Sequence, residues 1–274
     1  MSINMSKILG KCVCITGGAS GVGKIMGRIA LSRGARMLVI WDINQANIDS
    51  TVAELSAVGA VKGYRVNVAD FEAVKAAYEQ VKKECGDVDI LINCAGIVRG
   101  NNTFENQTVE DIDLTIAVNT KAPMYTALCM LPDMKARNSG HICNIASAGG
   151  MLSNPKMSVY AASKWAVIGW SDSVRIELAQ ERSKVRITTI APYFINTGMF
   201  DGVRSPIFPI LDPDRTSRKI IRAIERNKNF KGIPFGFHFI RLMQGLFPTV
   251  AFDWFFGKVL GIYSAMDNFK GRKE

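Results

Sequence analysis

A phenol and an ammonium lie one helical turn apart in the stretch SVYAASKWAVIGW, residues 158–170. Tyr160 and Lys164 would share a face of a helix, because they are four residues apart. A nearby cation favours phenolate and lowers the phenol pKa from about 10, so that the group can exchange a proton with an alcohol or ketone. Ser147, upstream at the end of an apolar run, carries a hydroxyl that can hold and polarise the same substrate oxygen. The Tyr-Lys spacing alone equally fits an amphipathic helix with a tyrosine at its edge.

The segment TGGASGVG, residues 16–23, follows an apolar run and precedes a helical pattern. Glycines between a strand and a helix let the backbone approach a pyrophosphate at the positive end of the helix. The glycine spacing here differs from GxGxxG, and glycines also simply end strands, so the segment alone is a weak indication. If it binds a dinucleotide, the expected contacts are Gly17, Ser20, Gly21, Val22 and Gly23.

The second apolar run ends in Trp41-Asp42. A carboxylate there can accept hydrogen bonds from both hydroxyls of an adenosine ribose and would repel a 2′-phosphate. No arginine follows Asp42, and Ser20 is not a base, so we expect NAD rather than NADP as the cofactor. The alternative is that Asp42 caps the helix that begins near Asn44, and the two roles are compatible.

Apolar runs alternate with stretches of helical periodicity along most of the chain. The runs predict strands at residues 11–16, 36–42, 61–68, 88–93, 140–147 and 185–192. The periodic stretches predict helices over roughly 21–33, 44–57, 71–84, 108–136 and 158–181, followed by a helix at 216–229 and a short strand at 230–234. Strands of this kind, alternating with helices, indicate an α/β fold in which a doubly wound parallel sheet is covered by helices on both faces.

Together these motifs resemble the short-chain dehydrogenase/reductase family. The resemblance covers residues 7 to about 200 and includes further positions in the same order: Asn93-Cys94-Ala95-Gly96, Asn119, Pro192 and Thr197. It implies a Rossmann-type domain with a seven-stranded parallel sheet and hydride transfer between a nicotinamide and a carbonyl or alcohol carbon. We therefore expect a single domain, 1–274, with a core at 7–200, a substrate loop and helix at 198–230, and an apolar, basic C-terminal extension at 231–274.

The resemblance also implies roles for individual residues. Tyr160 would be the general acid/base, Ser147 would hold the reacting oxygen, and Lys164 would bind the nicotinamide ribose and lower the Tyr160 pKa. Asn119 would anchor a water in a proton relay reaching Lys164, which connects an enclosed site with solvent. Asn93 would line the cofactor cleft and help to fix the central strand. The other implied cofactor contacts are Asn67, Val68, Ala95, Gly96, Pro192, Ile195 and Thr197.

Three positions depart from the family pattern. Asn67 replaces the usual aspartate after the third strand, and its amide oxygen can accept the adenine hydrogen bond without a charge. Cys94 replaces the second asparagine of the common NNAG stretch, so one side-chain hydrogen bond is missing. Tyr193 replaces the glycine that usually follows the proline, which suggests an altered pocket wall near the nicotinamide.

Apolar and flexible residues follow Ser147 and the sixth predicted strand. They suit a greasy secondary alcohol or ketone, although they equally fit ordinary core packing. The substrate contacts are expected from Ser147, Gly149, Leu152, Tyr193 and Met199.

The net charge of +10 is concentrated in the C-terminal part, where residues 204–274 hold 13 Lys and Arg against 6 Asp and Glu. Neither zinc-finger spacing nor a basic, aromatic sheet pattern accompanies it, so we expect no nucleic-acid partner. Residues 237–262 form apolar faces flanked by bases that include Arg272 and Lys273. This pattern fits a membrane interface, a flap over the active site or a contact between subunits, and we favour the last two.

Six cysteines without framework spacing and two histidines indicate free thiols in a reducing cytoplasm and no metal site. The N-terminus resembles no signal peptide, and no stretch reaches the roughly 18 apolar residues of a spanning helix. We therefore expect a cytoplasmic protein, at most peripheral at a membrane surface.

The expected function is an NAD(H)-dependent oxidoreductase that interconverts a hydrophobic secondary alcohol, such as a hydroxysteroid, and its ketone. The end of the chain, SAMDNFKGRK at 264–273, loosely resembles family members that act on steroids, retinoids and other lipids. One alternative is a 3-oxoacyl reductase for an acidic carrier protein, which suits the positive charge but usually uses NADPH. Another is a non-catalytic dinucleotide-binding, membrane-associated protein. The family also implies a homodimer or homotetramer built on the helices at 108–136 and 158–181.

Overall fold

A parallel sheet forms the centre of the computed structural model, which describes residues 7–205 and 208–271. Arg272 and Lys273 of the predicted basic flank lie outside the described residues. Seven strands pair in the order β3-β2-β1-β4-β5-β6-β7, and every pair is parallel. The strands are β1 (Cys12–Thr16), β2 (Met37–Asp42), β3 (Val61–Arg65), β4 (Ile90–Asn93), β5 (His141–Ile145), β6 (Arg186–Pro192) and β7 (Phe230–Ile233).

Helices cover both faces of this sheet, which confirms the predicted doubly wound α/β architecture. One core cluster joins the sheet to α1 (Gly21–Ser32), α2 (Gln45–Leu55) and α7 (Pro213–Glu225). A second cluster, on the other face, includes α3 (Phe71–Cys85), α5 (Ala122–Ala136) and α6 (Ser158–Gln180). Strands enclosed in this way bury both sets of alternating side chains, which explains their continuous apolar runs.

The carboxyl ends of the central strands align at one edge of the sheet. Thr16, the last residue of β1, lies opposite Trp41 of β2 and Asn93 of β4. Asn93 in turn lies opposite Asn144 of β5. The loops that follow these strands therefore meet at the same edge, which is where ligands bind in doubly wound sheets.

Two predicted helices differ from the structure. The helix expected at 108–136 is α4 (Val109–Ile116), a π-helical segment (Ala117–Lys121) and α5 in succession. The helix expected at 216–229 is α7, which begins earlier because the Asp212 side chain accepts a hydrogen bond from the backbone N–H of Arg215 at 2.7 Å.

Two predicted boundaries also shift. β3 ends at Arg65, so the last residues of the strand expected at 61–68 form a loop. β7 pairs with β6, so the extension expected at 231–274 begins inside the sheet and leaves it only at Pro234.

Beyond β7, the chain folds back over the carboxyl edge of the sheet. It forms α8 (Phe237–Leu246), α9 (Thr249–Asp253) and a π-helical segment (Trp254–Val259). These elements pack through Phe237 and Phe252 against a cluster that contains Leu152 and Ile168. Among the described residues, no helix combines the length and apolar character needed to cross a membrane.

A buried histidine makes stability depend on pH. His141 on β5 is 1% exposed, its Nε2 lies 2.8 Å from Thr188 Oγ1, and burial lowers its pKa to about 3. Below the unfolded-chain pKa of about 6.5, the unfolded state binds a proton that the folded state does not, so the free energy of unfolding falls as the pH drops. We expect His141→Gln to remove up to about 1.4 kcal/mol per pH unit of this decline between about pH 6.5 and 3. Urea unfolding at a series of pH values measures it, and equal slopes for both proteins would contradict it.

Candidate active site

A cavity of about 430 Å³ lies at the carboxyl edge of the sheet. The structure brings nearly all of the predicted cofactor residues into its lining, together with the reacting triad. The lining contains Gly17, Ser20, Gly21, Val22, Gly23, Asp42, Asn67, Val68, Ala95, Gly96, Ser147, Tyr160, Lys164, Pro192, Tyr193, Ile195, Thr197 and Met199.

The glycine loop needs its glycines for two different reasons. Gly17 and Gly21 adopt φ values of +65° and +51°, in the left-handed region that favours glycine. Gly23 allows the first turn of α1 to approach the loop, because a Cβ there would overlap the carbonyl oxygen of Gly17. The loop is held at the end of β2, where the Gly17 N–H donates to the Trp41 carbonyl at 2.7 Å. The result is a concave cradle of backbone at the start of α1.

The N-terminus of α1 fits a dinucleotide pyrophosphate. Within the described chain, the Ser20 side chain caps no N–H of the helix, and the first turn contains no acidic residue. Gly21, Val22 and Gly23 of this turn line the cavity. Unpaired N–H groups and the positive end of the helix dipole together favour a bound phosphate.

Asp42 joins the glycine loop to the end of β2. Its Oδ2 accepts a hydrogen bond from the Ala19 N–H at 3.1 Å, and its Oδ1 accepts from the N–H of Ile43 at 2.9 Å. The suggestion that Asp42 caps the next helix is wrong, because α2 is capped by Asn44, whose side chain accepts from the Asn47 N–H. The carboxylate thus lies in the cavity wall, where an adenosine ribose would be expected.

Tyr160 and Lys164 lie in the first two turns of α6 and are both buried. Lys164 Nζ donates to the Ile145 carbonyl at 3.2 Å and lies 5.8 Å from the centre of the Tyr160 ring. Burial raises the pKa of Tyr160 to about 12, although the Ser147 hydroxyl acts in the opposite direction. Burial also lowers the pKa of Lys164 to about 8. The Tyr160 pKa is thus raised, opposite in direction to the decrease expected from Lys164, and the phenol is protonated at neutral pH.

Ser147 follows β5 and faces the same space as the phenol. Its Oγ accepts a hydrogen bond from the Gly149 N–H at 3.1 Å, which fixes the rotamer of the side chain. A Cβ on Gly149 would lie 3.3 Å from Tyr160 Cε1 and 3.5 Å from Ser147 Oγ. A larger residue at position 149 would therefore crowd the two hydroxyl-bearing side chains.

Asn119 lies behind Lys164, outside the cavity lining. In the π-helical segment, its Oδ1 accepts from the Ile97 N–H at 2.8 Å and its Nδ2 donates to the Ile97 carbonyl at 2.9 Å. A Cβ on Gly96 would lie 3.3 Å from Asn119 Oδ1 and 3.4 Å from Lys164 Nζ. The side chain of Asn119 therefore ties α4 and α5 to the loop after β4, directly beside the lysine.

Asn93 also lies outside the cavity lining, contrary to the expectation from the sequence. It is 3% exposed, donates to Asn144 Oδ1 at 2.9 Å and accepts from Thr126 Oγ1 at 2.7 Å. These bonds link β4 to β5 and α5, so the side chain fixes the central strands. Cys94, the next residue, lines the cavity as a thiol whose pKa burial raises to about 12.

Several lining residues were not expected from the sequence. Ile43 follows Asp42 directly and is 61% exposed although it is apolar. This exposure would mark it as a candidate binding residue, but it is visible only in the structure. The others are Trp41, Val66, Ile97, Leu114, Val118, Ile145 and Ala146.

Two smaller cavities lie beneath the C-terminal helices, and the first is lined by two of the predicted catalytic residues. The first, of about 30 Å³, is lined by Ser147, Gly149, Leu152 and Tyr160 together with Phe237 and Ile262 of the tail. The second, of about 100 Å³, shares Leu152, Phe237 and Ile262 and extends to residues of α8 and the following π-helical segment. Tyr193 lines each of these two cavities and the large one. The expected substrate residues thus lie along one apolar path.

Comparison with known sequences agrees with this geometry. A family model described as short chain dehydrogenase matches residues 11–207. Epidermal retinol dehydrogenase 2 of Mus musculus is 35% identical over 273 residues, which cover 97% of this chain and 87% of that protein. Estradiol 17-beta-dehydrogenase 11 of Pongo abelii is 32% identical over 243 residues, which cover 88% and 80% of the two proteins.

Solved structures show the same fold. A short chain dehydrogenase/reductase from Burkholderia phymatum in complex with NAD has a TM-score of 0.73 and 26% identity, covering 88% of this chain and 95% of that chain. A metagenomic short-chain oxidoreductase in complex with NADP has a TM-score of 0.69 and 27% identity, covering 82% and 94%. These neighbours hold either dinucleotide. The family match over most of the chain, the relatives above 30% identity and the cavity geometry lead to one conclusion: the chain is an oxidoreductase that belongs to the short-chain dehydrogenase/reductase family.

Proposed function

We propose that the protein interconverts a hydrophobic secondary alcohol and its ketone with NAD(H), using Tyr160 as the general acid/base. The observation that carries the substrate class is the apolar path from Tyr160 beneath the C-terminal helices. Apart from Ser147, Tyr160 and Asn154, the residues that line it are aliphatic or aromatic, or are methionine, alanine or glycine. The names of the two relatives, a retinol dehydrogenase and an estradiol dehydrogenase, support a large apolar alcohol.

The chain's own residues account for the proton transfer. When bound, NAD(H) supplies the hydride acceptor or donor. In ketone reduction, the protonated phenol of Tyr160 donates its proton to the carbonyl oxygen, which the Ser147 hydroxyl holds. In alcohol oxidation, Tyr160 takes the proton back, and the Lys164 ammonium stabilises the phenolate. Asn119 would anchor a water in a proton relay that reaches Lys164 and connects the enclosed site with solvent.

The first test is the rate of NADH formation from NAD⁺ with secondary alcohols that range from short chains to hydroxysteroids and retinol. We expect turnover mainly with the large apolar alcohols. Because Tyr193 lines all three cavities, Tyr193→Ala should change the ratio of kcat/KM for large and small alcohols by about tenfold or more. Tyr64→Ala, on the outer strand β3, serves as the matched control. Binding of NADH without turnover of any alcohol or ketone would contradict the proposed substrate class.

The preference for NAD rests on Asp42. Asp42→Asn keeps the size of the side chain but removes the charge that would repel a 2′-phosphate, so we expect the ratio of NADPH to NADH dissociation constants to fall about tenfold or more. Using the ratio separates this effect from loosening of the loop, which weakens both cofactors. Asp49→Asn, an exposed carboxylate on α2, is the control. Tighter binding of NADPH than NADH by the unmodified protein would instead favour the 3-oxoacyl reductase alternative.

A homodimer or homotetramer is proposed on α4, α5 and α6. Large apolar side chains on these helices are exposed in the single chain, namely Val109, Leu128, Trp165 and Ile176. Burial of such a face between subunits would remove them from water. The mass in solution, measured by light scattering, tests this proposal, and a monomer at all concentrations would contradict it.

A further inference from the structure

A fourth cavity, which none of Ser147, Tyr160 and Lys164 lines, is lined by cations. It measures about 340 Å³ and lies between α7 and β7. We call it the basic cavity; its charged residues are Lys219, Arg222, Arg226, Lys228 and Lys231, and no acidic residue of the described chain lines it. Three of these cations follow one another on a single face of α7 and its C-terminus, and β7 brings in the last from the other side.

These cations are not neutralised by the protein. None of the five forms an ion pair with a carboxylate among residues 7–205 and 208–271, although other bases near α7 do: Arg28 pairs with Asp214, and Arg33 with Glu225. Five like charges around one space repel one another, and an anion placed between them would relieve that repulsion. The cavity is therefore suited to a phosphate-bearing group.

An exposed apolar surface begins at the rim of the basic cavity. Phe235 lines the cavity, is 64% exposed, and its ring centre lies 5.8 Å from that of Phe239 on α8. From there, exposed apolar side chains continue along α8, α9 and the π-helical segment. We call this set the apolar surface: Phe235, Phe239, Leu242, Leu246, Phe247, Val250, Trp254, Phe255 and Val259.

The opposite face of these helices is already engaged. Phe237, Ile240 and Phe252 are buried in the core beneath them, and Gln244 Nε2 donates to the Met151 carbonyl at 2.7 Å. Because the inner face of the helices is packed against the core, the apolar surface stays on the outside of the protein. The expected role of these helices as a flap over the active site accounts for their inner face. It does not explain the apolar side chains on their outer face.

We propose that the basic cavity and the apolar surface together dock the protein on an anionic phospholipid surface. A lipid headgroup would enter the basic cavity, while the aromatic and aliphatic side chains enter the adjoining acyl layer. In a bilayer, a layer of phosphate groups lies next to the hydrocarbon of the acyl chains. The basic cavity lies next to the apolar surface in the same way, so the two halves of the protein surface match the two layers. A symmetric contact with a second copy is disfavoured, because an isologous interface would bring two sets of unpaired cations together. Docking stands independently of the proposed reaction.

Sedimentation with phospholipid vesicles tests the charged half of this proposal. We expect binding to phosphatidylcholine vesicles that contain phosphatidylserine, weaker binding to phosphatidylcholine alone, and a decline with added salt. Arg222→Gln with Lys231→Gln should weaken binding about 25-fold, at about fivefold per cation. The control is Lys75→Gln with Lys83→Gln on α3, which removes the same charge elsewhere. Equal losses in both double variants would overturn the assignment of the basic cavity.

The apolar half has its own pair of variants. Val250→Ser with Trp254→Ser should abolish most vesicle binding, whereas Leu9→Ser with Val58→Ser, also exposed apolar positions, should not. Thermal unfolding and NADH binding confirm that each variant is folded. The proposal is wrong if the unmodified protein does not bind vesicles and is a dimer that becomes a monomer when Val250 and Trp254 are changed. The apolar surface would then be a contact between subunits. The proposal is equally wrong if millimolar phosphate stabilises the protein through Arg222 and Lys231 while vesicles do not bind.

Discussion

Tyr160→Phe should reduce turnover by about 10²- to 10⁴-fold and leave NADH binding almost unchanged. The substitution removes the hydroxyl that exchanges the proton and keeps the ring. That ring contributes to a cluster with Met157 and Phe194 and makes an edge contact with Phe200 at 6.0 Å between ring centres. The fold and the cavity wall should therefore persist. Initial rates with the best alcohol, NADH fluorescence titration and thermal unfolding measure the three properties separately.

Tyr64→Phe is the matched control for this prediction. It also deletes one phenolic hydroxyl, which bonds Glu84 at the outer edge of the sheet, and it should leave turnover unchanged. More than about a tenth of the activity remaining in Tyr160→Phe would mean that another group transfers the proton. If the unmodified protein binds NADH and turns over nothing, the non-catalytic alternative gains ground instead.

Gly23→Ala should weaken NADH binding about a hundredfold, because it displaces the cradle. The added Cβ would overlap the Gly17 carbonyl oxygen and lie 3.1 Å from the Gly18 Cα, and both neighbours are backbone that cannot rotate away. The first turn of α1 must then move from the loop that it meets at the cavity. Calorimetric titration with NADH measures the loss directly.

The control is the same substitution at Gly169 on α6. A Cβ there meets nothing within 4 Å, so Gly169→Ala should raise the free energy of unfolding by about 0.5–1 kcal/mol and leave NADH binding intact. Unchanged NADH affinity in a folded Gly23→Ala protein would show that the glycine loop does not hold the cofactor.

The parts of the site that the sequence predicted are those fixed by local geometry. Tyr160 and Lys164 share a face because both lie on α6, and the glycine loop forms because a strand, a glycine-rich turn and a helix follow one another. Ser147 joins them because parallel strands in register end at the same edge. In each case, spacing along the chain is enough to place the side chain.

The parts that the sequence did not predict depend on distant contacts. The apolar pattern of the π-helical segment around Asn119 does not differ from that of the α-helices on either side. What accompanies its different geometry is a pair of hydrogen bonds between Asn119 and the backbone of Ile97, which lies on another loop. The Asn93 side chain is held away from the cavity by hydrogen bonds to Asn144 on β5 and Thr126 on α5. The spacing of these residues along the chain gives no indication of the two bonds. The high pKa of Tyr160 reflects burial, and that burial comes partly from tail residues such as Ala265 and Met266, which are remote in sequence.

The carboxylate of Asp42 lines the cavity in which we propose that the cofactor binds, and it also accepts a hydrogen bond from the Ala19 N–H of the glycine loop. An amide in its place would turn either an oxygen or a second donor toward that N–H, and a basic residue would offer no acceptor at all. A basic residue at this position would thus lose the loop contact, whereas asparagine could keep it through its amide oxygen. If the protein prefers NAD as proposed, a change to NADP through a basic residue at position 42 would therefore also loosen the glycine loop at Ala19, whereas a change through asparagine would not.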